Sequence, residues 1–239
     1  MAIPRLIHQT VHNKEWTLNH PVLRGASDKL INLNPGWRYR LYDDDDARAF
    51  IYRTYGARML RAFERINPAY GPARADLFRY LLLYEEGGVY LDIKSIASKS
   101  FSEVLKEDDS YLLSHWRNEP GESHVGWGLY DGCCGPRGEF QQWFIVAAPR
   151  HPFLKAVIER VVDNIETCIG AAGQFGVLSV TGPIPYTLAI LPLLNECPHR
   201  LVDIATLGFD YCIFKSNADW QPPGRKHYST LSEPVIRDA

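Results

Sequence analysis

Apolar positions along this chain repeat at two alternating periods, and the switch between them is sharpest over residues 73–95, ARADLFRYLLLYEEGGVYLDIKS. Leu77, Phe78, Leu81 and Leu82 fall on one stripe at helical spacing, while Asp76 and Arg79 share another face at i, i+3. Pro72 suits the first turn of this helix and Gly87 its left-handed stop. Beyond Gly87-Gly88 the period falls to two: Val89, Leu91 and Ile93 point one way, Tyr90, Asp92 and Lys94 the other. Asp76 to Glu86 spans roughly 15 Å of helix, and Gly88 to Asp92 roughly 13 Å of strand. A chain reversal at the glycine pair therefore sets Asp76 and Arg79 level with Asp92 and Lys94 at one edge of a sheet.

The remaining pattern supplies the neighbours of that unit. Residues 5–10 read as a first buried strand, 21–33 as a helix stopped by Asn34-Pro35-Gly36, and 37–42 as an alternating second strand. Asp43 caps a helix over 44–55, with Asp44, Asp45 and Asp46 at its positive end, and a second helix covers 57–66. This acidic run reads as capping rather than as a metal site. Trp16 and His20 fall in a loop, with packing the simpler role. Strands separated by helical crossovers predict βαβ units and a parallel sheet, whose ligands bind at the carboxyl ends of its strands. Further along, 111–115 and 144–148 read as strands, and 152–169 as an amphipathic helix. The long loop 116–138, holding Trp127, Tyr130 and Asp131, is a candidate binding loop. Residues 170–176 read as flexible, the stretch from Thr181-Gly182-Pro183 to 195 as a helix, 201–204 and 211–214 as short strands, and 220–225 as a proline-rich loop.

The string R-A-D-x-x-R-Y-x-x-L-x-x-x-G-G-x-Y-x-D at 74–92 resembles the glycosyltransferases with a DXD sugar-binding region. That group includes fungal initiating α-1,6-mannosyltransferases and, distantly, clostridial glucosylating toxins. IPRLIHQT at 3–10, NPGWRYRLYDDDD at 34–46 and Thr181-Gly182-Pro183 are similar to the same family. The resemblance implies a single GT-A-like (Rossmann-like) α/β domain over 1–239, its mostly parallel sheet flanked by helices. It implies transfer of a sugar from a nucleotide-sugar donor, UDP-linked in preference to GDP-linked, to a glycan or other hydroxyl acceptor with retention of configuration. Asp76, Arg79 and Asp92 are the implied catalytic residues. Donor contacts extend to His8, Gln9, Thr10, Gly88, Tyr90, Lys94, Gly182 and Pro183.

Lys94 stands where the family has its second DXD acid, giving Asp92-Ile93-Lys94. A departing nucleoside diphosphate needs its charge stabilised, commonly by Mn²⁺ or Mg²⁺ on carboxylate oxygens. Here either Asp92, the late histidine His227 and water hold such an ion, or the Lys94 ammonium does part of its work. A catalytically inactive relative that still binds sugar nucleotide or glycan is the alternative reading. A phosphatase is disfavoured, because no early strand ends in an Asp-x-Asp nucleophile.

Composition narrows the partners. A formal net charge of −2 argues against general nucleic-acid binding. No apolar run stands out as a membrane span, and no signal peptide or amino-terminal anchor is evident. Five cysteines, an odd number without CxxC spacing, predict reduced thiols and a cytoplasmic location.

Overall fold

The computed structural model describes residues 2–130, 133–168, 170–214 and 226–237, so Asp131 and the 220–225 loop lie outside the described residues. The chain runs β1 (Leu6–Thr10), α1 (Lys14–Asn19), α2 (Pro21–Leu33), β2 (Arg38–Tyr42), α3 (Asp44–Arg65), α4 (Gly71–Glu86) and β3 (Gly88–Leu91). Then come β4 (Ile96–Ala97), α5 (Phe101–Val104), β5 (Tyr111–Leu113), β6 (Phe144–Ala147) and α6 (Pro152–Thr167). The last part carries α7 (Gly173–Val180), α8 (Pro183–Ile190), β7 (Arg200–Leu201), α9 (Ile204–Leu207) and β8 (Phe209–Asp210).

Among the described residues one six-stranded sheet has the order β2-β1-β3-β6-β5-β7. β1 is parallel to both β2 and β3, and β5 is parallel to β7; β6 runs against its two neighbours. The chain leaves β1 toward β2 and returns to its other side as β3. The carboxyl end of β1 is therefore a topological switch point, where open α/β sheets form a ligand crevice. β3 is buried on both faces. Tyr90 joins the cluster under α3, α4, α6 and α8, while Val89 and Leu91 join a second cluster with Phe101, Phe144 and Phe209. The architecture is the mostly parallel, helix-flanked sheet that the periodicity predicts.

Local chemistry explains the main junctions. Asp43 and Asp46 form a reciprocal capping box at the start of α3; Asp44 meets Arg74 at 2.9 Å, and Lys14 pairs with Asp46. The acidic run is thus spent on capping and ion pairs. Gly56, at φ 79°, breaks α3 where the sequence separates two helices. Gly87 (φ 63°) and Gly88 (φ 106°) make the α4–β3 turn; a β-carbon on Gly87 would lie 2.7 Å from Pro149, and one on Gly88 2.7 Å from the Leu6 carbonyl oxygen. Only glycines allow that close approach.

Several expectations change. Residues 14–19, read as loop, form α1, capped by the Asn13 side chain. The expected flexible segment 170–176 is helical from Gly173, because Gly176 lets α7 pack against Ala171 and Val235, where a β-carbon would come within 2.9 Å. The expected strand at 201–204 is a two-residue strand followed by α9, and the strand expected at 211–214 lies instead at Phe209–Asp210, paired with β4. Gly173–Leu193 is long and apolar enough to cross a membrane by length and composition, a stretch the sequence reading passed over. In the fold it divides at Thr181-Gly182 into α7 and α8, and Val177, Val180, Tyr186 and Ile190 are buried in the core. All five cysteines are free thiols.

Candidate active site

A cavity of about 270 Å³ opens at the carboxyl ends of β1, β2 and β3. Its walls include Thr10, Tyr42, Asp76, Arg79, Asp92 and Lys94, with Pro183 and His227 from the later chain. The convergence expected from helix and strand lengths is present, but the charges are not solvated. Asp76 is 2% exposed and Arg79 3%. Charges buried to that degree require pairing.

Arg79 supplies the pairing from the third turn of α4. Its Nη2 lies 3.0 Å from Asp76 Oδ1 and its Nη1 3.2 Å from Asp92 Oδ1. Nη1 also donates to the Gln142 backbone oxygen and to Gln142 Oε1, each at 2.8 Å, and the guanidinium lies 4.6 Å from the Tyr90 ring centroid. Burial opposes the positive charge of Arg79, but Tyr90, Asp92 and Asp76 more than offset it and raise the pKa above that of free arginine. For Asp76 burial wins: its carboxyl is shifted upward despite Arg79 and the hydroxyl of Thr181.

Both Asp76 oxygens are engaged within the protein. Oδ1 accepts from Gln142 Nε2 at 3.2 Å and Oδ2 from Thr181 Oγ1 at 2.9 Å. Asp76, one of the implied catalytic residues, lines the cavity and anchors Arg79. Asp92 is the more available acid, with its side chain 22% exposed. Its Oδ1 accepts from Arg79 and from the Tyr90 hydroxyl at 3.0 Å, while Oδ2 has no protein partner among the described residues. Thr10 Oγ1 contacts the Tyr90 hydroxyl at 2.8 Å and closes this polar row.

Lys94 lines the same cavity. Its Nζ donates to the Tyr211 hydroxyl at 2.9 Å and stands 4.4 Å from that ring's centroid. Burial disfavours its charge, yet Tyr211 and Asp92 keep its pKa above the ordinary value. Tyr211 in turn sits in an aromatic wall, edge-on to Trp116 (5.2 Å) and Trp127 (5.9 Å) and against Trp143 (5.6 Å).

Four expected donor contacts sit behind the cavity rather than on it. His8 is fully buried; its ring nitrogens lie 3.1 Å from the Tyr42 hydroxyl and 3.0 Å from the Gly87 oxygen, and burial pulls its pKa to about 4. Gln9 holds the Asp92 backbone oxygen at 3.2 Å and meets Ser27 and Tyr39, so it positions the acid from beneath. Gly88 serves the turn. Gly182 packs α8 on α7, where a β-carbon would approach Leu178 to 2.9 Å. The residues missed from sequence are Gln142, Thr181, Trp116, Trp143 and Tyr211. Thr181 had a signal in its Thr-Gly-Pro string, whereas the aromatic residues and Gln142 join the site only through tertiary packing.

A divalent cation was expected on Asp92 and His227. His227 Nδ1 is taken by Ser229 Oγ at 2.6 Å, and burial and Lys94 lower the histidine's pKa. Among the described residues no group of three or more His, Cys, Asp or Glu side chains is arranged to hold a metal. Asp92 is already balanced by Arg79. Asp92, through its open Oδ2, could still supply one carboxylate ligand to an Mg²⁺ or Mn²⁺ ion that keeps several waters and takes the rest of its oxygens from substrate phosphates.

A mostly parallel sheet with an acid–arginine–acid cluster at its switch point defines a GT-A-type α/β domain. The PaToxG glycosyltransferase has the same fold, with a TM-score of 0.51 at 18% identity over 81% of this chain and 71% of that one. Residues 21–111 match the family model described as "Glycosyltransferase sugar-binding region containing DXD motif", the family that the sequence patterns resemble. An initiation-specific α-1,6-mannosyltransferase of Schizosaccharomyces pombe is 27% identical over 232 residues, 88% of this chain and 54% of the relative. Inositol phosphoceramide mannosyltransferase 2 of the same yeast is 35% identical over 170 residues, 70% of this chain and 40% of the relative. The chain spans about half the length of the first of these relatives or less.

Proposed function

We propose that this chain is a glycosyltransferase domain that moves a sugar from a nucleotide-sugar donor to a hydroxyl of a glycan or glycoconjugate. One observation carries the reading: Arg79 holds two acids, one from the helix and one from the strand, at the mouth of the switch-point crevice. The mannosyltransferase names of its relatives support a mannosyl donor; the uridine preference drawn from resemblance competes with guanosine in the test below. Free thiols are consistent with the cytoplasmic compartment that belongs to the same proposal.

Each residue has a task in this reading. Asp92 offers its open oxygen to the donor, and Arg79 fixes that oxygen in place. Lys94, a compact cation beside the cavity, meets the diphosphate and offsets the charge that grows as the leaving group departs. A divalent ion, where bound, would add Lewis-acid stabilisation at the same oxygens. Transfer with retention requires no enzymic base when the acceptor attacks from the leaving-group face. The test is a thermal-shift screen with UDP-glucose, UDP-galactose and GDP-mannose, with and without Mn²⁺, followed by turnover assays. A stabilising donor that is also consumed supports the proposal. Binding without turnover on any acceptor favours the second reading, an inactive sugar-nucleotide binder, for which Lys94 in place of an acid is the motivating feature.

A further inference from the structure

The segment between the long loop and β6, Glu139-Phe140-Gln141-Gln142-Trp143, carries an unexplained polar imbalance. Glu139 is 5% exposed and Trp143 4%, and both line the cavity. Glu139 Oε1 accepts from Trp116 Nε1 at 2.7 Å, but Oε2 is buried and makes no hydrogen bond. The Tyr130 phenol approaches this carboxyl without a bond of normal geometry to Oε2. Trp143 Nε1 is likewise buried and has no acceptor. An unmade hydrogen bond of this kind is costly, because the buried group has given up water without gaining a partner. Two beside one cavity, an acceptor and a donor, are not expected of a merely structural wall.

Their setting is built. Gly128, at φ 73°, lies so close that a β-carbon there would sit 2.7 Å from Glu139 Cγ and 2.8 Å from Trp116 Cδ1. The Glu139 N–H donates to the Gly128 oxygen at 2.9 Å, and Gly138 admits that contact. Gln142, between the two orphaned groups, binds Asp76 and Arg79. The Trp116 and Trp143 rings flank Tyr211, which Lys94 contacts. Aromatic faces, one carboxyl oxygen and one N–H donor together match a pyranose, which has apolar ring faces and hydroxyls that both donate and accept. Burial shifts the Glu139 carboxyl upward, and a sugar hydroxyl can bond either its ionised or its protonated form.

We propose that Glu139 and Trp143 form a hydroxyl-binding subsite for a pyranose in this cavity, filled on substrate entry by a small rotation of the carboxyl. The inference rests on the glycosyltransferase reading for its substrate class, yet it is testable apart from turnover. Glu139→Gln keeps the outline of the side chain and replaces one carboxylate oxygen with an NH2 donor, while Trp143→Phe keeps an aromatic ring but removes the indole N–H along with part of its bulk. Melting temperature, UDP and GDP affinity, and saturation-transfer NMR with methyl α-mannopyranoside and methyl α-glucopyranoside are measured for wild type and both variants. The expected result is an unchanged or higher melting temperature for Glu139→Gln, a lower one for Trp143→Phe from the space its smaller ring leaves, and for both unchanged nucleotide affinity and roughly tenfold weaker pyranoside binding. Equal pyranoside binding in all three proteins, whatever the melting temperatures, overturns the subsite and leaves the glycosyltransferase reading standing. Pyranoside binding that depends on both residues, in a protein that binds neither nucleotide, supports the subsite and removes that reading. If neither sugar nor nucleotide binds wild type, both fall.

Discussion

At the scale of single residues, the buried charges set the clearest expectations. Arg79→Ala leaves Asp76 with no cation among its hydrogen-bonded partners and strips Asp92 of its ion pair. The expected loss is about 3–5 kcal/mol of stability, read by urea unfolding, together with loss of donor binding. Lys94 is a milder case. Its attraction to a diphosphate at a few ångströms is on the order of a few kcal/mol at an effective dielectric near 20, before desolvation. Lys94→Ala should therefore weaken UDP or GDP binding about tenfold even in saturating Mn²⁺, and Lys94→Asp should make binding more metal-dependent; titration calorimetry with Mn²⁺ and then EDTA checks both. His8 gives a pH dependence. Its pKa falls from 6.5 unfolded to about 4 folded, so its contribution is whole above pH 6.5 and is lost as pH falls toward 4. The full span is about 3 kcal/mol, and His8→Gln should flatten the melting temperature between those pH values.

At the scale of elements, the α4–β3 corner decides the site. Gly88→Ala would force a side chain into φ 106° and against the Leu6 carbonyl at 2.7 Å. The cost should exceed the roughly 1–3 kcal/mol of an ordinary strained residue, because β1 must also move, and thermal unfolding measures it. This corner was legible in the sequence because a helix of period 3.6 and a strand of period two each have a fixed rise, so the positions of Asp76 and Asp92 follow by measurement. The acid cap on α3 and the break at Gly56 were legible for similarly local reasons. What stayed hidden was non-local. Gln142 and Thr181 reach Asp76 across 66 and 105 residues, and no periodicity records such a pairing. His8 and Gln9, implied as donor contacts by the resemblance, are the opposite case: β1 is covered on both faces, so the two side chains are buried on opposite sides of the strand with protein partners. α7 was missed because glycines, normally loop formers, were used there for close helix packing.

At the scale of the whole molecule, the cavity draws on the early parallel strands, on α4 and on the segments at 139–143 and 183, so ligand binding should stabilise the fold as one unit. A nucleotide at a hundredfold excess over its Kd adds about 2.7 kcal/mol, or a rise of roughly 5–10 °C for a chain of this size; differential scanning calorimetry with UDP and GDP reads it, and a shift split into two transitions would contradict it. The acid–arginine–acid bridge has a further consequence, for how such a site can change over generations. Because one guanidinium satisfies the helix acid, the strand acid and the Gln142 carbonyl together, no one of these positions is free to drift alone. New donor preferences would have to arise around the bridge, at Lys94 or along the aromatic wall, while the bridge itself is inherited intact or replaced in concert.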